Sequence, residues 1–228
     1  TMTRMQHMIE PHLARHRGRA SLSAPEAIAK AVLEFVPNIQ VLSLVETPSL
    51  HALIEHLQQP DIRDLLRMHH LRVLVNTDAP RALERARWEA RKEQHVIAVL
   101  AGKSACDALG LLLHDEGSDI CVPGAALGCI IEDVPDPDGA RTPATMAAGS
   151  NFPVIEASSV EHLRDAVEQG LRLSRADGTP SITIVNPNVI ASGSTLELRP
   201  NRSMEGAEGI DRRRSRAPRW TESGGSLR

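Results

Sequence analysis

The sequence predicts an α/β protein built on an open, mainly parallel sheet. Two observations predict this class: short runs of β-branched residues and leucine recur along the chain, and amphipathic stretches separate them. Most of the runs are apolar at every position, which is typical of strands buried on both faces of a parallel sheet. The chain has 228 residues, enough for one domain that buries its own core.

Each apolar run is too short for a helix, whereas each amphipathic stretch is long enough for one. The six predicted strands are residues 40–45, 72–75, 96–100, 128–132, 153–156 and 181–185. The predicted helices are residues 24–35, 49–57 extended by 61–67, 79–93, 104–113 and 159–174. Ser158 or Ser159 is expected to cap the last helix, since Glu161 and His162 begin its polar face.

Charge divides the chain into three parts. The 26 basic and 29 acidic residues give a net charge of −3. Residues 1–20 carry +3 and residues 199–228 carry +4, so residues 21–198 hold −10. We therefore predict an N-terminal arm over residues 1–20, an α/β domain over 21–198 and a basic, disordered tail over 199–228.

Composition argues against nucleic-acid and membrane partners. Two Trp, two Phe and no Tyr leave little to stack on bases, and residues 212–216, although rich in Arg, are interpreted as a solvated end. The apolar runs are shorter than the roughly 20 residues of a membrane span, and no signal-peptide pattern is present. Cys106, Cys121 and Cys129 form no C-x-x-C pair, which favours reduced core residues in a cytoplasmic protein.

Two loops resemble ligand-binding motifs only in part. Residues 101–104, A-G-K-S, follow a strand and open a helix, but a phosphate-binding loop needs glycine where Ile97 stands. Residues 132–139 are rich in acids that suit a hard cation. Their two prolines and final glycine favour a rigid turn at the end of a strand instead.

A carboxylate and a hydroxyl follow the first predicted strand directly. Glu46 and Thr47 stand where the ligand crevice of an open α/β sheet opens, beyond the carboxyl ends of its strands. Pro48 and Ser49 begin the next helix. The residue types alone leave open whether this segment is functional or only structural.

The order of short motifs along the chain resembles a known family. The motifs are A-P-E-A-I-A at 24–29, E-T-P-S at 46–49, D-A-P-R-A-L-E at 78–84, C-I-I-E-D-V-P at 129–135 and F-P-V-I-E-A-S-S at 152–159. They resemble, in order and spacing, the pyrimidine-binding (PYR) domain of the thiamine diphosphate-dependent 2-oxoacid:ferredoxin oxidoreductases, especially the indolepyruvate branch. The resemblance covers about residues 21–187.

The resemblance implies three layers, with a six-stranded parallel sheet between helices on both faces. It also implies a site for the aminopyrimidine ring of thiamine diphosphate, in which a glutamate hydrogen-bonds the ring nitrogen. Thr47 matches the family's substrate-contacting threonine, and Pro48 belongs to the same cofactor-binding turn. The family's activating glutamate falls on Ala79 here, with Asp78 just before it.

Three accounts of this departure remain open. Asp78 takes the activating role after a shift of one residue, or Glu46, which replaces a glycine of the family, reaches the ring from the neighbouring strand end. Alternatively the site has lost activation, and the chain is a catalytically degenerate scaffold or binding subunit. An activating carboxylate needs partial burial to hold a proton near neutral pH.

The resemblance also implies a partner, because the chain has no G-D-G…N-N segment of the kind that holds the diphosphate through Mg²⁺. We expect a separate diphosphate-binding (PP-domain) subunit that carries the Mg²⁺ ion, in an α2β2 heterotetramer. The expected reaction is decarboxylation of a 2-oxo acid, with carboligation favoured over oxidation because the chain supplies no cluster ligands.

Overall fold

A computed structural model describes residues 13–35, 39–115 and 121–202. In chain order the strands are β1 Arg19–Ser23, β2 Val41–Val45, β3 Arg72–Asn76, β4 His95–Leu100, β5 Ala126–Glu132, β6 Val154–Ala157, β7 Ser181–Val185 and β8 Gly193–Glu197. The helices are α1 Ala24–Glu34, α2 Pro48–Leu57, α3 Pro60–Met68, α4 Ala79–Ala90, α5 Ala105–His114, α6 Pro143–Ala147, α7 Val160–Asp177 and α8 Pro187–Ile190.

Six of the strands form one parallel sheet in the order β3-β2-β4-β5-β7-β6. Residues of α1, α2, α3 and α7 pack in the core on one face, and residues of α4, α5 and α6 pack in the core on the other. The three-layer α/β fold with a six-stranded parallel sheet is therefore confirmed.

The central strands were predictable because they are buried on both faces. Every residue of β2, β4, β5 and β7 is buried, which explains why these runs contain few polar residues. Helix starts also follow the sequence closely. Ser159 caps α7 by accepting a hydrogen bond from the His162 backbone N–H at 3.1 Å, which decides between the two predicted caps.

The sequence analysis missed a second, antiparallel sheet formed by β1 and β8. Both strands are mostly exposed, and Ala20, Leu22 and Leu196 are their buried apolar residues. So few apolar positions give a weak strand pattern. The extension predicted for the second helix is a separate helix, α3, because Gln59 is extended and Pro60 opens a new helical turn.

Residues of the predicted N-terminal arm and of the predicted C-terminal tail pack against the α/β domain. Leu13 is buried, and so are Asn201 and Arg202. The strand β1 begins inside the predicted arm. Residues 1–12 and 203–228 lie outside the described residues, and the disordered tail stays a prediction.

Two further observations concern the core and the surface. The thiols of Cys106, Cys121 and Cys129 are buried and free, as predicted. Burial raises the pKa of Cys129 to about 12, so this thiol is inert at neutral pH. None of the helices that the structure describes is long and apolar enough to cross a membrane.

Candidate functional site

The connections that follow β2 and β4 go to opposite faces of the sheet, and in an open α/β sheet this is where the ligand crevice is expected. The chain leaves β2 through α2 and α3 on one face, whereas it leaves β4 through α5 on the other. Because neighbouring strands send their connections to opposite faces, the edge between them is left uncovered. The predicted segment at residues 46–49 lies at this edge.

Thr47 and Gly102 face each other across the crevice. A Cβ atom placed on Gly102 would lie 3.1 Å from Cγ2 of Thr47, tighter than an ordinary contact. Gly102 also has φ = +83°, a backbone conformation that favours glycine. The Thr47 hydroxyl lies 3.1 Å from the Ser49 hydroxyl and makes no capping bond to α2. It is half-buried, so it faces the crevice edge rather than the core.

Glu132 lies on the other side of Gly102, at the end of the central strand β5. The Gly102 N–H donates to Oε2 of Glu132 at 2.9 Å, and Glu132 is buried. A phosphate-binding loop needs such backbone N–H groups for its ligand. Since the carboxylate of Glu132 already occupies the Gly102 N–H, the rejection of a phosphate loop at residues 101–104 agrees with the structure.

Glu46 is exposed at the crevice edge. Its backbone N–H donates to the Asn76 carbonyl at 2.8 Å, so the ladder between β2 and β3 continues one residue past the strand end. Pro48 is the first residue of α2 and is also exposed. The structure thus places the predicted Glu46, Thr47 and Pro48 together at one strand end.

Asp78 is the N-cap residue of α4, and both of its carboxylate oxygens already accept hydrogen bonds. Its Oδ1 accepts from the Arg81 N–H at 2.9 Å, and its Oδ2 accepts from the Thr77 hydroxyl at 3.0 Å. The backbone hydrogen bond from Arg81 lowers the pKa of Asp78. An activating acid must hold a proton, so this environment argues against Asp78 in that role. Glu46 is exposed in this chain and lacks the partial burial that the role needs.

Ala79, at the position of the family's glutamate, is the first residue of α4 and is fully buried in the core. Its backbone N–H donates to the Ser104 hydroxyl at 3.1 Å. This bond ties the start of α4 to the turn that follows β4. The segments after β3, β2, β4 and β5 therefore meet along one edge of the sheet.

Sequence reasoning missed Gly102 and Glu132 as members of this site. The available signal for Glu132 was a single acid at the end of an otherwise apolar strand. For Gly102 the signal was a glycine two residues past a buried strand, since β4 ends at Leu100. Neither signal shows that the two residues bond to each other, because they are 30 positions apart.

The acidic loop after β5 is a structured turn. Asp136 accepts from the Ala140 N–H at 2.9 Å and pairs with the Arg141 guanidinium at 3.0 Å. Asp133 accepts from the Ala144 N–H at the start of α6. The hydrogen bond from Arg141 lowers the pKa of Asp136. Among the described residues, no three His, Cys, Asp or Glu side chains group as metal ligands.

Neither a family model nor a curated protein matches the sequence. Among solved structures, the chain is similar to a 2-oxoglutarate:ferredoxin oxidoreductase from Magnetococcus marinus, determined with 2-oxoglutarate, coenzyme A and succinyl-CoA bound. The TM-score is 0.58 over 83% of this chain, at 11% sequence identity. The two chains share a fold. This chain spans 32% of the length of that one.

Proposed function

We propose that this chain is the pyrimidine-binding subunit of a heteromeric, thiamine diphosphate-dependent enzyme that acts on 2-oxo acids. The observation that carries the proposal is the carboxyl edge of β2 and β4, where Glu46 and Thr47 follow one strand and Thr47 contacts Gly102, which follows the other. Two further supports are the motif resemblance over residues 21–187 and the fold shared with a 2-oxoacid oxidoreductase.

The residues at the crevice suit an aminopyrimidine ring. Gly102 packs directly against Thr47, since a Cβ there would lie 3.1 Å from Thr47 Cγ2, and this contact fixes the position of Thr47 at the edge of the site. The exposed Glu46 carboxylate offers an acceptor for a protonated ring nitrogen, and the Thr47 hydroxyl offers a donor or an acceptor. When bound, thiamine diphosphate supplies a carbon nucleophile for the carbonyl of a 2-oxo acid.

Two side chains have distinct tasks in this proposal. Glu46 binds the ring nitrogen and, once the proposed partner subunit covers its exposed side chain, holds the proton shared with it. Thr47 orients the 2-oxo acid, since its hydroxyl is free of the helix-capping bond that most N-cap threonines make. Pro48 fixes the backbone of the turn that presents both residues. Glu132 keeps the Gly102 turn in place.

The partner proposed for this chain is a separate subunit that binds the diphosphate and its Mg²⁺ ion, in an α2β2 assembly. The chain has few aromatic residues to enclose a ring, so the partner subunit supplies the second wall of the ring site in this proposal. The reaction proposed is decarboxylation, with carboligation or oxidation of the product.

The test is thiamine diphosphate-dependent turnover of 2-oxo acids by the assembled complex. Glu46→Gln should lower kcat by about 100-fold or more, since general acid–base groups contribute on this scale. Asp78→Asn retains the helix cap and should leave kcat within about twofold. Glu84→Gln, an exposed acid on α4, is the matched control. Full activity of Glu46→Gln would contradict the assignment of the activating acid.

A second candidate function is a scaffold subunit without catalysis. The observation that favours it is Ala79, which leaves no acid at the position of the family's glutamate and is buried at the start of α4. A complex that assembles with the diphosphate-binding subunit, yet turns over no 2-oxo acid when thiamine diphosphate and Mg²⁺ are added, would support the scaffold and overturn the first proposal.

A further inference from the structure

A cavity lies at the amino-terminal end of the main sheet, opposite to the crevice. Its volume is about 330 Å³, and it is formed by the end of α1, the starts of β4 and β5 and the last turns of α7. Phe35, Ala126 and Leu171 contribute apolar walls that are themselves buried. This volume lies at the lower end of the range for small-molecule pockets, roughly 300–1,000 Å³.

His95 is the buried polar side chain of the cavity. It is 8% exposed, and its Nδ1 is buried without a hydrogen-bond partner among the residues that the structure describes. Its backbone is fully used, since the N–H donates to Oε1 of Gln40 at 2.7 Å and the carbonyl accepts from the Gln40 N–H at 3.0 Å. A buried polar atom without a partner is costly. Nδ1 has almost no accessible surface of its own, so a ligand in the cavity would contact other atoms of the His95 ring.

Two arginines on α7 border the same cavity, Arg172 and Arg175. They are three residues apart, so both side chains lie on one side of the helix. Arg172 contacts Glu168, whereas Arg175 has no ion-pair partner in the described part of the chain. Positive charge at the open rim of an apolar space is the arrangement that recognises an amphiphilic anion.

We propose that this cavity binds a small carboxylate with an apolar body. The carboxylate pairs with the guanidinium of Arg175 and, through exchange with Glu168, with that of Arg172. The apolar body packs against Phe35, Leu171 and Ala126. His95 contacts the ligand within the cavity, where its neutral imidazole avoids the cost of burying a second cation; burial lowers the pKa of His95.

The cavity and the crevice are separate sites joined by one strand. The strand β4 begins with His95 at the cavity and ends at Leu100, two residues before Gly102. A rise of about 3.3 Å per residue places the two ends of β4 more than 15 Å apart. Binding at the cavity is therefore independent of the proposed catalytic role, and its test requires no partner subunit.

The test is isothermal titration calorimetry of the full chain with octanoate, and with 1-octanol as the neutral analogue. We expect saturable binding of octanoate at one site and at least tenfold weaker binding of 1-octanol. In NMR spectra, the ring protons of His95 should shift on addition of octanoate.

Three variants locate the site. Arg175→Gln removes the free cation and should raise the Kd for octanoate about tenfold or more. Ala176→Leu places a larger side chain at an exposed helical position that lines the cavity, and it should weaken binding to a similar extent without unfolding α7. Arg91→Gln, an exposed arginine just past the end of α4, is the matched control and should leave the Kd unchanged.

Absence of saturable octanoate binding would overturn the proposal, as would equal affinity for 1-octanol. An unchanged Kd in both Arg175→Gln and Ala176→Leu would also overturn it, because the anion would then bind elsewhere on the chain. If Arg175→Gln only lowered the thermal stability, Arg175 would act through the C-terminal dipole of α7 rather than on a ligand.

Discussion

Glu132 illustrates how one side chain organises the carboxyl edge of the sheet. It ends β5, a strand that is buried throughout, and it accepts the N–H of a glycine that follows the neighbouring strand β4. That glycine in turn contacts Thr47 at the end of β2. A single hydrogen bond therefore sets the backbone of a turn on which the proposed ring site depends.

Replacement of Glu132 should lower the free energy of unfolding. The size of the loss should depend on whether the new side chain still accepts the Gly102 N–H. Glu132→Ala leaves the Gly102 N–H without its partner and should lower the free energy of unfolding by about 1–3 kcal/mol. Glu132→Gln retains a carbonyl oxygen that accepts the same bond, so it should lose less. Urea denaturation measures both.

The control is Glu156→Ala, an exposed acid on β6. It should change the free energy of unfolding by no more than about 0.5 kcal/mol. Equal losses for Glu132→Ala and Glu156→Ala would show that the hydrogen bond to Gly102 contributes nothing to stability.

At the scale of elements, helix starts explain why one predicted site residue serves another purpose. The helices α1, α4 and α7 have Ser23, Asp78 and Ser159 as N-caps, and each side chain accepts a hydrogen bond from a backbone N–H of the first turn. Asp78 therefore has a structural role that the sequence alone also suggests, since aspartate is a common N-cap. A carboxylate that caps a helix is better stabilised as an anion than as an acid.

Substitutions of Asp78 should separate capping from catalysis. Asp78→Ala removes the acceptor for the Arg81 N–H and should lower the free energy of unfolding by about 0.5–2 kcal/mol, whereas Asp78→Asn preserves the cap and should be close to neutral. Thermal unfolding followed by circular dichroism measures the difference. Ser159→Ala removes the N-cap side chain of α7 and should lower the free energy of unfolding by a similar amount. Equal stability of Asp78→Ala and the unmodified chain would contradict the capping role.

At the scale of the whole molecule, the segments near the two termini are bound to the body by buried cations. The ammonium of Lys30 donates to the Arg15 carbonyl at 2.6 Å and to Oδ1 of Asn201 at 2.5 Å. The guanidinium of Arg202 donates to the carbonyls of Val32, Ile39 and His69, at 3.1, 2.9 and 2.6 Å. These bonds join both segments to α1 and to the end of α3.

Loss of the Arg202 side chain should destabilise the whole domain. Arg202→Met leaves three carbonyls without their donor and should lower the free energy of unfolding by more than about 2 kcal/mol. Arg199→Met is the matched control, because Arg199 is half-exposed and its ion pairs lie on the surface, where each contributes at most about 1 kcal/mol. Guanidinium chloride denaturation measures both. Similar losses in the two variants would contradict the role of Arg202.

The sequence by itself determined the layered fold and the position of the predicted site. Strands buried on both faces contain few polar residues, so the sequence shows β2, β4, β5 and β7 as short, mostly apolar runs. Glu46 and Thr47 could be placed at the carboxyl edge because they follow such a strand directly. Local patterns of this kind need only neighbouring residues.

Only the tertiary structure decided which side chains contact each other and which hydrogen-bonding groups already have a partner. Three sets of contacts join residues that are far apart in the chain. They are the hydrogen bond from Gly102 to Glu132, the pairing of β1 with β8 and the hydrogen bonds of the Arg202 guanidinium. The cavity at His95 is also assembled from distant segments. The physical reason is that contacts between distant residues depend on how the elements pack. The periodicity within one element does not indicate which other elements lie beside it.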